Sequence, residues 1–118
     1  MSDKRERLKL ILKENSILLG KFKLTSGKES NYYIDARLTT LHPEGVYLVG
    51  RIFLDVILRD SEIQAVGGPT MGADPIVGSI LALAGASPTN SSGIKSALAL
   101  RGFLVRKEEK LHGTGKLI

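Results

Sequence analysis

Residues 63–86, IQAVGGPTMGADPIVGSILALAGA, decide the fold of this chain. Ile63 to Val66 is a brief apolar run, the pattern of a buried strand. Gly67 to Pro75 gathers Gly67, Gly68, Pro69, Gly72 and Pro75 and reads as a loop. Ile76 to Ala86 is apolar almost throughout, which predicts a helix buried on most of its surface, as helices flanking a parallel sheet are. Strand, loop and helix in that order predict an α/β fold. Backbone N–H groups at such a helix start can bind phosphate. Glycine-rich turns before helices are common, so this loop names no ligand by itself. The lysine and Ser/Thr spacing of a P-loop is absent.

Upstream, Pro43 suits the first turn of a helix. Val46, Val49, Ile52, Phe53, Val56 and Ile57 give that helix a broad apolar face to about Leu58, and Arg59-Asp60-Ser61 ends it. Lys21 to Leu24 and Asn31 to Arg37 alternate polar and apolar around Thr25–Ser30, which predicts a β-hairpin with a glycine-containing loop. In the second strand Tyr32, Ile34 and Ala36 share one face and Tyr33, Asp35 and Arg37 the other. Two adjacent tyrosines suit one core and one surface residue, or an aromatic that stacks on a flat heterocycle. At the N-terminus Ser2 or Asp3 can cap a short amphipathic helix, with Glu6 three residues after Asp3. Leu8, Ile11 and Leu12 form its packing stripe, and Asn15-Ser16 and Gly20 end it near Glu14.

Downstream, Ser87 to Gly93 is the clearest loop of the chain, and Ile94 to Val105 returns to apolar character. Gly102 to Val105 has the pattern of a buried strand. From Arg101 to Lys116 the chain carries five basic residues against Glu108 and Glu109, +3 of the whole chain's +5, before His112 is counted. A solvated strand-to-loop transition accounts for such a run; so does a loop that closes over a polyanion.

The 118 residues suffice for one domain with a modest core, and 42% hydrophobic with 25% charged residues is ordinary for a globular protein. With no cysteine there is neither a disulfide framework nor a zinc–thiolate site, and a reducing, cytoplasmic setting is consistent with that. The charged start MSDKRERLK has no apolar core of a secretory signal, and no apolar stretch is long enough to cross a bilayer. A pI near 9.6 points to an anionic partner.

The segment RKEEKLHG, Arg106 to Gly113, set just after an apolar strand, resembles the catalytic loop of orotate phosphoribosyltransferases. In that family an RKExKxHG segment reaches into the neighbouring subunit's active site and holds the pyrophosphate of phosphoribosyl pyrophosphate. The resemblance implies that Arg106, Lys107, Lys110 and His112 bind this anion, with Lys110 and His112 catalytic. FKLTSGKESNYYIDAR, Phe22 to Arg37, resembles the family's FxLxSGxxSxxYxDxR signature, and implies an orotate pocket that draws on Ser26, Gly27, Tyr32 and Tyr33. Thr25 and Gly72 stand where many members carry lysine.

The fold implied is an N-terminal helix and β-hairpin hood over residues 1–40, then over 41–118 the first βα units of a type I phosphoribosyltransferase (Rossmann-like) parallel sheet, with the catalytic loop at about 106–116. The resemblance covers nearly the whole chain but little more than the first half of a typical member. No VxxxDDxxTTG acidic signature, which binds the ribose phosphate in the family, occurs here. The expectation is therefore an N-terminal portion of the enzyme, inactive alone. The activity implied is transfer of phosphoribosyl from phosphoribosyl pyrophosphate to orotate, giving orotidine 5′-phosphate and pyrophosphate in pyrimidine biosynthesis. It implies Mg²⁺ brought with the phosphoribosyl pyrophosphate, no metal ligands in this chain, and a homodimer sharing the loop. Neither a nucleic-acid nor a membrane partner is expected. Two other classes stay open: a sensor of phosphoribosyl pyrophosphate without catalysis, and a nucleic-acid-binding module, for which aromatics are few at 5%.

Overall fold

The computed structural model describes residues 2–86 and 97–108. The chain divides into two compact units, Met1–Leu48 and Val49–Ile118.

The first unit opens with helix α1, Ser2–Asn15, and an antiparallel hairpin of β1, Ile17–Lys23, and β2, Glu29–Ile34. The strand thus begins at Ile17, not at Lys21 as the alternation suggested. Gly20 belongs to a β-bulge inside it. Leu19 pairs with Tyr32 and Phe22 with Ser30, so Gly20 and Lys21 together face the single residue Asn31. Gly20 takes φ +146° there, a conformation that a side chain resists. Leu24 closes the hairpin loop by donating its N–H to Lys28 O and accepting that of Gly27, both at 2.8 Å.

β2 also stops three residues short of the expected Arg37. Asp35 Oδ1 accepts hydrogen bonds from the Arg37 backbone N–H at 3.2 Å and from Arg37 Nε at 3.1 Å. That local turn competes with further strand pairing, and a one-turn helix α2, Arg37–Thr40, follows. Ile11, Ser16, Thr39, Thr40, Gly45 and Leu48 are the buried residues among those described in this unit. The Ser16 and Thr39 hydroxyls, fully buried, satisfy each other. Arg7 grips Glu44 through Nε and Nη2 at 2.9 and 2.8 Å.

Helix α3, Pro43–Leu58, starts as the sequence predicts. Pro43 takes the first helical position, and His42 Nδ1 accepts the Gly45 N–H at 3.1 Å as the cap. In the second unit its buried positions are Gly50, Leu54 and Ile57. Phe53 and Val56, expected on the apolar face, are exposed, at 49% and 43%.

The remaining elements are β3, Ala65–Pro69, α4, Asp74–Ala86, a 3-10 turn at Ala97–Ala99, and β4, Arg101–Val105. β3 and β4 pair in parallel with Ala65 opposite Arg101 and Pro69 opposite Val105. Gly67, Gly68 and Pro69 are therefore strand, not loop, and the loop is only Thr70–Ala73. Glycine serves here for close packing. A Cβ on Gly67 would lie 2.5 Å from the Phe103 ring, and one on Gly102 2.6 Å from Leu81. Leu54, Ile57, Ile80, Ala84 and Leu100 form the core, with Val66, Leu81 and Leu83 packed against it.

Both strands were expected to be buried, yet every residue of β3 and β4 is exposed or half-buried. Only Val77, Ile80 and Ala84 of α4 are buried, a single stripe rather than most of its surface. Two paired strands cover little area, which leaves apolar surface open on both elements.

Candidate functional site

The parallel register of β3 and β4 brings two distant stretches together at the strands' C-terminal ends. Thr70, just past β3, donates its N–H to Val105 O at 2.9 Å, so the Thr70–Ala73 loop is tied to the residue before Arg106. Ala73 N–H bonds Pro69 O at 2.9 Å and Asp74 N–H bonds Met71 O at 3.2 Å, which folds the loop tightly into α4. The Thr70–Met71 peptide is cis. Thr70 Oγ1 donates to Asp74 Oδ2 at 3.1 Å, while Asp74 Oδ1 is buried and without a hydrogen-bond partner among the described residues.

Thr70, Asp74 and Arg106 line a cavity of about 600 Å³ together with the apolar Val77, Leu81 and Phe103. Lys107 follows, exposed, at the same edge. Ligands of open α/β sheets bind outside the carboxyl ends of the strands, and this cluster sits there. Lys110 and His112 lie outside the described residues, as do most of the expected catalytic loop and Ser87–Gly93.

The four residues expected at an orotate pocket all fall on the hairpin of the first unit. Ser26 and Gly27 form its turn, Gly27 at φ +87°. Tyr32 and Tyr33 stand in β2, roughly 10–13 Å beyond the strand's start at about 3.3 Å per residue. The hairpin therefore carries both pairs. Neither tyrosine is a core residue: they are 53% and 43% exposed, and Tyr33 leans on Phe22 with ring centroids 5.8 Å apart.

Thr70 and Asp74 were not singled out from the sequence as site residues. Their signal was the four-residue spacing of a hydroxyl and a carboxylate across a loop-to-helix junction. Among the described residues no three His, Cys, Asp or Glu side chains converge as metal ligands, and no helix is long and apolar enough to cross a membrane.

Fold and site together define an α/β protein with a loop-to-helix junction tied to the strand end that leads into Arg106 and Lys107. No family model matches the chain. It is 42% identical over 113 residues to an orotate phosphoribosyltransferase of Rhodopirellula baltica, covering 92% of this chain and 54% of that protein. A crystal structure of the Mycobacterium tuberculosis orotate phosphoribosyltransferase in complex with Fe(III) dicitrate superposes with a TM-score of 0.70 at 32% identity, covering 97% of this chain and 58% of that one. The same organism's enzyme in complex with phosphoribosyl pyrophosphate gives a TM-score of 0.63 at 30% identity, covering 88% and 54%. The chain is similar over nearly its whole length to orotate phosphoribosyltransferases, and it spans about half the length of the curated relatives it matches.

Proposed function

We propose that this chain forms the pyrophosphate-holding side of an orotate phosphoribosyltransferase, with Arg106, Lys107, Lys110 and His112 as the residues that meet the anion. The observation that supports this is the Thr70–Val105 hydrogen bond, which ties the residue before Arg106 and Lys107 to the loop that opens α4. A relative at 30% identity crystallised with phosphoribosyl pyrophosphate supports the ligand.

The chemical demand is to stabilise charge that grows on a departing pyrophosphate, and preorganised cations meet it. Arg106 supplies a two-pronged donor and Lys107 and Lys110 point charges. His112 supplies a further donor. Ser26, Gly27, Tyr32 and Tyr33 are the proposed orotate contacts. Mg²⁺ would come with the phosphates of the substrate, its usual mode. A homodimer that shares the loop, in a cytoplasmic setting, completes this reading.

The test is orotate depletion by a form of the chain extended with the acidic half of a relative. Arg106→Ala and Lys107→Ala should raise the apparent KM for phosphoribosyl pyrophosphate and leave that for orotate nearly unchanged. Equal effects on both substrates would refute the assignment.

A further inference from the structure

We infer that Asp74 is a positioning residue for the loop that opens α4: its carboxylate holds the Thr70 hydroxyl, and Thr70 in turn holds the end of β4 that leads into Arg106. This deepens the proposed function and rests on it, since the loop matters to an anion only if the anion binds there.

Packing does little to hold the loop Thr70–Ala73. Met71 is 81% exposed, and a Cβ on Gly72 would find nothing within 4 Å. Ala73 lies over Gly68, where a Cβ would come within 2.6 Å of its own. Among the described residues the rest is hydrogen bonding. Three backbone bonds run from Thr70 N–H to Val105 O, from Ala73 N–H to Pro69 O and from Asp74 N–H to Met71 O. One side-chain bond runs from Thr70 Oγ1 to Asp74 Oδ2 at 3.1 Å.

That side-chain bond is placed to govern the others. It spans the loop from its first residue to the first residue of α4, and the same Thr70 donates its N–H to β4 at 2.9 Å. One residue thus joins the end of β3, the end of β4 and the start of α4. The carboxylate has no competing engagement: Asp74 Oδ1 is buried without a hydrogen-bond partner among the described residues. A sheet of two strands supplies little rigidity of its own, so the joint at Thr70 sets where Arg106 leaves it.

The direction of the bond also gives Thr70 its part. A hydroxyl has one proton, and a carboxylate only accepts. With that proton given to Asp74, Thr70 keeps only lone pairs, which repel an anion. Thr70 therefore positions the site and does not bind pyrophosphate.

Amide hydrogen exchange of the ligand-free 118-residue chain tests the clasp. Asp74→Ala should speed exchange of the Thr70 N–H by about three- to tenfold, the worth of one hydrogen bond. The amides of Ile57 and Ile80, both in the core, should be unchanged. Asp74→Asn keeps an acceptor and should exchange like wild type. In a chain already carrying Thr70→Val, Asp74→Ala should add nothing, whereas in a Thr70→Ser chain it should act as in wild type. Equal acceleration of the core amides, or an Asp74→Ala effect that survives Thr70→Val, would overturn the inference.

Titration with inorganic pyrophosphate tests the consequence. Asp74→Ala and Asp74→Asn both lose the negative charge, so their difference reports the clasp rather than the charge. Asp74→Ala should bind about three- to tenfold more weakly than Asp74→Asn, and the gap should close when both carry Thr70→Val. Equal binding by the two, or tighter binding by Asp74→Ala, would overturn the positioning role. If wild type binds no pyrophosphate while Thr70 exchange still depends on Asp74, the proposed function fails and the clasp stands.

Discussion

Gly67 and Gly72 look alike in the sequence, both glycines of one loop-like stretch, yet they do different things. Gly67 lies in β3 beneath the Phe103 ring, where a Cβ would come within 2.5 Å, whereas Gly72 has open space around it. Gly67→Ala should therefore destabilise the protein by about 1–3 kcal/mol in urea unfolding, the usual cost of overpacking. Gly72→Ala should change stability by less than about 1 kcal/mol. A sequence shows that glycine is present but not which atoms approach it, so Gly67 was misread as loop. The basic run from Arg101 to Lys116 stands out in the sequence by charge alone, and its role rests on the proposed function. On the proposed function, Lys110→Ala in an active extended form should lower kcat more than it raises the KM for orotate. The expected loss is ~2.7–4 kcal/mol of transition-state stabilisation. A change confined to KM would place Lys110 in ground-state binding instead.

Among the elements, the helices were the most legible. Pro43 marked the start of α3 and the apolar run marked α4, because helical periodicity and capping are local signals. The strands were displaced for reasons of pairing and side-chain chemistry. The Gly20 bulge interrupts the alternation of β1, and the Asp35 side chain ends β2 early. Phe53 and Val56 followed the apolar period of α3 yet are exposed, since a hydrophobic face predicts contact only where another element covers it. The Asp35 turn carries its own prediction. The hydrogen bond from Arg37 holds the Asp35 carboxyl below its ordinary range, and Arg7 does the same for Glu44. A carboxylate whose folded pKa is depressed stabilises the fold above its unfolded pKa, about 3.9 for Asp, and that contribution is lost as pH falls through the folded value. Thermal unfolding followed from neutral pH into acid should show this loss, and Asp35→Asn should reduce its acid-dependent part. Identical pH profiles for the two proteins would mean the turn carries no charge-dependent stability.

For the whole molecule, the α/β class followed from the order of strand, loop and helix, and the parallel β3–β4 pair carries it. The exposure of both strands could not be read ahead, because apolar composition alone does not say how many neighbours a sheet will have. Of the polar residues that line the cavity, Arg106 stands out by its motif, and Thr70 and Asp74 only once the register brings the two stretches together. No VxxxDDxxTTG stretch occurs in the 118 residues. This chain by itself should therefore consume no orotate in the presence of Mg²⁺ and phosphoribosyl pyrophosphate, and turnover near that of a full-length relative would refute the division of the site proposed above. The central claim is that the end of β4 and the start of α4 hold the pyrophosphate group, and amide NMR mapping tests it most directly. Titrating phosphoribosyl pyrophosphate into the ¹⁵N-labelled chain should shift Thr70–Asp74, Arg106 and Lys107 together, with an affinity that weakens as salt is added. Shifts that leave these residues unmoved while the ligand binds elsewhere would contradict the account.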